Sequence, residues 1–137
     1  MTLNKILIFA VLVMVLISSV ACSDSPSIYK IVGTYEAVDP IMEGRGYTID
    51  IYIEFKNVES GTEIVVDWGD GAGSFSKDKV TDSIACVTNH YPVGGHGERF
   101  LKLVKKHRIR VRIETSKGTW ESQGIPLAKI PMIQKQK

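Results

Sequence analysis

The chain has 137 residues, 44% of them hydrophobic and 23% charged, with a net charge of +2. That composition is globular rather than disordered, and the overall charge implies no particular partner. Charge is unevenly placed, however: residues 24–82 carry twelve acidic and five basic side chains, and residues 83–137 carry three acidic and eleven basic. A split of −7 against +8 either builds a basic face or is neutralised on folding.

The N-terminus has the parts of a secretory signal. One positive charge at Lys5 precedes an unbroken apolar run, Ile6 to Ile17, and then Ser18-Ser19-Val20-Ala21-Cys22. The run is short of the ~20 residues that comfortably span a bilayer. Small residues leading to Cys22 resemble a bacterial lipobox, with Ser19 where leucine is usual. The resemblance implies a signal peptide over residues 1–21, cleavage before Cys22 and acylation of that residue. Each buried methylene of an acyl chain adds about 0.8 kcal/mol of membrane affinity. An uncleaved anchor, or secretion with Cys22 free, remains open. Two cysteines, Cys22 and Cys86, allow one disulfide at most, and the setting of Cys22 argues against it. Residues 22–27 read as a tether.

The body of the chain reads as short extended segments. Ile28 to Val38 is a first strand, with Gly33 marking a bulge. Asp39-Pro40 and Glu43-Gly44-Arg45-Gly46 make a break and a turn. Tyr47 to Val58 is the clearest strand, because Ile49, Ile51, Ile53 and Phe55 alternate with Asp50, Tyr52, Glu54 and Lys56. Glu59 to Thr62 is a hairpin-length connection to an antiparallel partner, Glu63 to Trp68. Ala72 to Asp82 is polar and turn-rich, with Phe75 as its anchor. Ser83 to Thr88 is another strand, and a long Gly-rich loop follows Asn89. Residues 98–107 fit a short helix or a strand equally well. Arg108 to Ser116 alternates again, with Ile109, Val111 and Ile113 between Arg108, Arg110, Arg112 and Glu114. Thr119 to Ile130 offers a last strand around Trp120, and Pro126 and Pro131 either place it at an edge or break it early. A sandwich domain over 28–131 and a flexible tail over 132–137 complete the expectation. About seven such segments fit an all-β, antiparallel sandwich.

Three pieces resemble PKD-type immunoglobulin-like domains. Asp67-Trp68-Gly69-Asp70-Gly71 is similar to the family's Trp-Gly-Asp-Gly signature, His90-Tyr91 to its His-x-Tyr element without the spacer, and Arg108 to Gly118 to its closing strand. The resemblance spans about Ile28 to Ile125, and the stretch between His90 and Arg108 is longer than the family usually carries. It implies an immunoglobulin-like sandwich that acts as an extracellular spacer or contact module and seldom performs chemistry.

Three constellations stand out. Asp67, Asp70 and Asp78 surround a Gly-rich loop and could offer oxygen ligands to Ca²⁺, or serve only the turn itself. Cys86, His90 and His96 have a spacing open to zinc or thiol chemistry, or are a strand cysteine and two unrelated histidines. Arg99, Lys102, Lys105, Lys106, Arg108, Arg110 and Arg112 place seven cations in fourteen residues. Along a strand the arginines stand about 7 Å apart on one face. Such a row suits an anionic glycopolymer, a lipid headgroup or an acidic protein, or simply keeps a strand edge soluble. Nucleic acid is not expected, because no aromatic residues are interleaved with the charges. The leading expectation is a non-enzymatic module without cofactors, anchored to a bacterial cell membrane or outer membrane through acylated Cys22. It would contact an envelope protein or an anionic polysaccharide. The alternatives are a metal-binding protein or metal-dependent enzyme, and a small envelope inhibitor or exclusion lipoprotein.

Overall fold

The computed structural model describes residues 25–38, 46–71, 73–91, 102 and 105–135. These form two packed sheets. The first has strand order β5-β2-β1-β9, from Ile84–Tyr91, Tyr47–Lys56, Ser27–Ala37 and Met132–Gln134. The second runs β4-β3-β6-β7, from Phe75–Lys79, Glu63–Asp67, Arg108–Thr115 and Gly118–Glu121, and β8, Ile125–Pro126, also pairs with β6.

Alternation decides which side chains meet. β2 buries Tyr47, Ile49, Ile51, Ile53 and Phe55 and turns the residues between them outward. From the opposing sheet, Ile64 and Val66 of β3, Trp68 just beyond it, and Ile109, Val111 and Ile113 of β6 fill the same core. A side chain of this size contributes about 1.5–3 kcal/mol when fully buried. A charge on the inward face of β2 or β6 would therefore be costly.

Several expectations are corrected. β2 and β3 are not a hairpin, because they lie in different sheets. Asn57 takes a φ of 59° just past β2 and turns the chain away from it. The backbone of residues 61 and 62 then pairs with Val80, so the ladder of β3 continues toward β4. Phe75 is no anchor: it is 61% exposed, and Val80 is the buried residue of that region. The segment read as turns contains β4, and β5 continues through His90 to Tyr91.

The sandwich is not wholly antiparallel. β9 pairs parallel with β1, and it arises from the segment expected to be a flexible tail. Ser27, expected in the tether, opens β1. The register shift in β1 falls between Ile28 and Lys30, not at Gly33. Gly33 instead makes room for β9: a Cβ there would lie 2.5 Å from Met132 Sδ. Of the two readings of Thr119 to Ile130, the early break is the one found: the segment divides into β7, β8 and a 3-10 turn at Leu127–Lys129. Cys22, the expected signal segment 1–21, His96 and most of the ambiguous stretch 98–107 lie outside the described residues.

Candidate functional site

The Trp68 corner is a structural device. β3 delivers Trp68 into the core, where it is fully buried. Its Nε1 donates to Ser76 Oγ at 2.7 Å, and the same hydroxyl donates to the Thr88 carbonyl at 2.7 Å. Two residues along β4, Asp78 Oδ2 accepts from the Cys86 N–H at 2.8 Å. Side chains of β4 therefore occupy β5 backbone groups that an edge strand would otherwise offer to another chain. Gly69 is required twice over. Its φ is 61°, and the Arg108 carbonyl oxygen fills the space where a Cβ would sit. Gly71 also has a positive φ, 76°.

His90 and Tyr91 are neighbours on β5 and so point to opposite faces. His90 is exposed, whereas Tyr91 is buried edge-on to Trp68 with ring centroids 6.3 Å apart. His107 stacks on the other side of Tyr91 at 5.8 Å. Burial pushes the Tyr91 hydroxyl up to about 12, with Asp70 adding to the shift and a hydrogen bond with Asn89 opposing it.

Among the described residues, the structure does not bring the metal candidates together. Asp67 Oδ1 accepts from Gly69 N–H, Asp70 Oδ1 from Ser74 N–H, and Asp78 serves Cys86. Each carboxylate thus works for the backbone near it. Cys86 and His90 stand four residues apart on one strand, a separation of about 13 Å that no single ion bridges. Among the described residues, no group of three or more His, Cys, Asp or Glu side chains could hold a metal ion. Burial and then the Asp50 charge push the Cys86 thiol up against an opposing hydrogen bond with Tyr52, so the reactive thiolate is disfavoured.

The basic row is not uniformly positive. Arg108, Arg110 and Arg112 do share the exposed outer face of β6. Arg112 lies 3.6 Å from Glu114 and opposes Glu121 in register. Arg110 opposes Asp67, and on β4 Lys77 pairs with Glu63 at 3.6 Å. Exposed pairs of this kind are weak, but they do cancel the local field. The cationic excess is therefore left at one end, where the exposed Lys105 and Lys106 lead into Arg108. A Cβ added at Gly124 would lie 3.6 Å from the Arg108 stem and 3.9 Å from Arg110 Nε, so the backbone there runs close to both side chains.

A second cluster on the outer face of the first sheet was not legible in the sequence. Asp50 Oδ1 accepts from Thr88 Oγ1 at 2.6 Å, and Oδ2 from Lys135 Nζ at 2.6 Å. Burial would raise the Asp50 carboxyl, but its bonds with Lys135 and Thr88 and the Lys135 charge outweigh that and hold it below its ordinary value. Lys135 also lies 3.8 Å from Glu36, so the end of the described chain is strapped across β1 to β2. The sequence signal was slight: Asp50 belongs to the outward-pointing set, yet its side chain is only 14% exposed.

Among the described residues, no helix is long and apolar enough to cross a membrane. Compared with known proteins, the chain matches no family model, no curated sequence and no solved structure.

Proposed function

We propose that this chain is a non-enzymatic, lipid-anchored module of the bacterial cell envelope, built on a PKD-type immunoglobulin-like sandwich. It contacts an anionic envelope polymer through the end of the second sheet at Lys105, Lys106, Arg108 and Arg110. The observation that carries the reading is the uneven cancellation along β6. Glutamates flank Arg112, whereas Arg108 opposes Pro126 in register and Lys105 and Lys106 stand exposed just before β6. Long cationic side chains attract a polyanion over a distance set by salt screening.

The anchor follows from the signal-like N-terminus and Cys22. The family assignment is supported by the motif residues and by their roles: Trp68 in the core, Gly69 and Gly71 at the reversal, Tyr91 packed on the tryptophan.

The test uses the full chain in a mild detergent and a carboxylated or sulfated polysaccharide of defined length. Binding should weaken as salt rises toward about 0.5 M. Arg108→Glu with Lys105→Glu should weaken it at least about tenfold at low salt, while Arg112→Glu should change it less. Equal losses from both variants, or binding indifferent to salt, would overturn the assignment. Membrane fractionation of Cys22→Ala tests the anchor separately: release of the variant supports it, and full retention refutes it.

A further inference from the structure

The place where the chain enters the sandwich is fixed. Asn57, left-handed just past β2, donates from Nδ2 to the Ser25 carbonyl at 3.2 Å. Pro26 then lines a groove with Thr115 and Lys117, at the opposite end of β6 from Arg108. Cys22 is three residues before Ser25, so its backbone lies within about 11 Å of Ser25 in any conformation. A surface that holds Cys22 therefore lies against the end of the domain around this entry point.

The two sides of the entry point differ. On the outer face of the first sheet, β1 carries an extra residue between Ile28 and Lys30. That bulge turns Tyr29 into solvent, 60% exposed, beside the exposed Lys30. Lys56, opposite Ser27 in register, sets its ammonium 4.4 Å from the centre of the Tyr29 ring. Lys30 and Lys56, with Glu54 opposite Lys30, leave a net single positive charge. An exposed phenol ring among lysines suits a lipid headgroup layer, where the ring is amphipathic and the ammonium groups reach phosphate. On the other side, Glu59, Glu114 and Lys117 line the groove without a cationic excess, and its aromatic ring, Trp120, is half-buried.

We infer that Tyr29, Lys30 and Lys56 form a foot that rests on the anionic bilayer carrying the chain's own anchor, so that the domain stands upright on it. The inference depends on the proposed acylation of Cys22. The domain leans toward the Tyr29 side, because the groove side has no excess charge to attract phosphate. Arg108 lies seven residues along β6 from Thr115, about 23 Å further from the lipid. That is well beyond the ~8 Å over which exposed charges act at physiological salt. The basic end is therefore not drawn down onto the same membrane and stays open to a polymer lying above it.

The test uses the full chain in phosphatidylethanolamine–phosphatidylglycerol vesicles at about 0.15 M salt. A thiol-reactive dye is placed at Ser27→Cys, Lys117→Cys or Lys106→Cys, each combined with Cys86→Ser, and quenched by a nitroxide on the lipid headgroup. The Cys86→Ser parent should take no dye, because a lipid-bearing Cys22 has no free thiol. Quenching should fall in the order 27, 117, 106. It should be at least about fivefold stronger at position 27 than at position 106, since the two stand more than about 20 Å apart. Lys30→Glu with Lys56→Glu should cut the quenching at position 27 at least about threefold. Lys30→Arg with Lys56→Arg should preserve it, which separates lost charge from a lost fold. Equal quenching at positions 27 and 106, stronger quenching at 106, or no response to the charge reversals would overturn the foot even in a chain that stays on the vesicles. A parent that takes dye, or a chain that does not sediment with the vesicles, would overturn the anchor and the foot with it.

Discussion

Replacing Ser76 by alanine should destabilise the domain by about 1–3 kcal/mol. The hydroxyl is the only atom between Trp68 Nε1 and the Thr88 carbonyl, 2.7 Å from each. Its two ends differ in cost. The indole belongs to a fully buried side chain, so its N–H loses its acceptor in a place water does not readily reach. The Thr88 carbonyl sits in an exposed hydrogen bond and can turn to solvent. Nearly all the loss therefore comes from the tryptophan end, a sizeable part of the ~5–15 kcal/mol that holds a domain together. Urea unfolding followed by far-UV circular dichroism measures it. Trp68→Phe removes the same donor, so Ser76→Ala should cost markedly less in the Trp68→Phe background. A coupling of about 1 kcal/mol or more is expected. A single-variant loss under about 0.5 kcal/mol, or strict additivity, would refute the relay.

Gly33→Ala should cost about 1–3 kcal/mol through collision with Met132 Sδ, and Met132→Ala should recover part of it; thermal melts of the single and double variants check this. Gly69→Ala combines a left-handed φ with a clash against the Arg108 carbonyl, so it should destabilise more than Gly71→Ala, whose Cβ meets nothing within 4 Å. Chemical denaturation of both variants ranks them. The lowered Asp50 carboxyl gives a stability contribution that is fully present above its unfolded value, about pH 4, and is lost as pH falls through the lower folded value. Asp50→Asn should flatten the stability–pH curve in that acid range, and an unchanged slope would contradict the Lys135 strap. The raised Tyr91 hydroxyl acts at the other extreme. Stability should decline as pH rises from about 10 toward 12, and Tyr91→Phe should remove part of that decline in an alkaline denaturation series.

How far the sequence could be read depended on how each strand is buried. β2 and β6 have one face in the core and one in water, so their alternation is unambiguous from Tyr47 to Lys56 and from Arg108 to Thr115. β4 has no such pattern. Phe75, Lys77 and Lys79 face solvent, while Ser76 and Asp78 turn toward the backbone of β5, so its inward residues are polar and it read as a loop. The crossing from β2 to β3 has the length of a hairpin, and the left-handed Asn57 that redirects it carries no glycine to announce it. β9 is three residues long and is held by Gly33, a position whose open space is visible only once Met132 is in place. At the candidate site the shared face of Arg108, Arg110 and Arg112 followed from period two. Its partial neutralisation did not, because Glu121 and Asp67 reach the row only through the strand register.

The most direct measurement is an amide chemical-shift titration of the full chain in detergent with an anionic polysaccharide. Shifts that gather at Lys105, Lys106 and Arg108 to Arg110, fade toward Arg112 and vanish at high salt are expected. Shifts centred instead on Tyr52 and Ile133, or none at a concentration where the polymer is in excess, would contradict the proposal that this end of the second sheet meets the envelope.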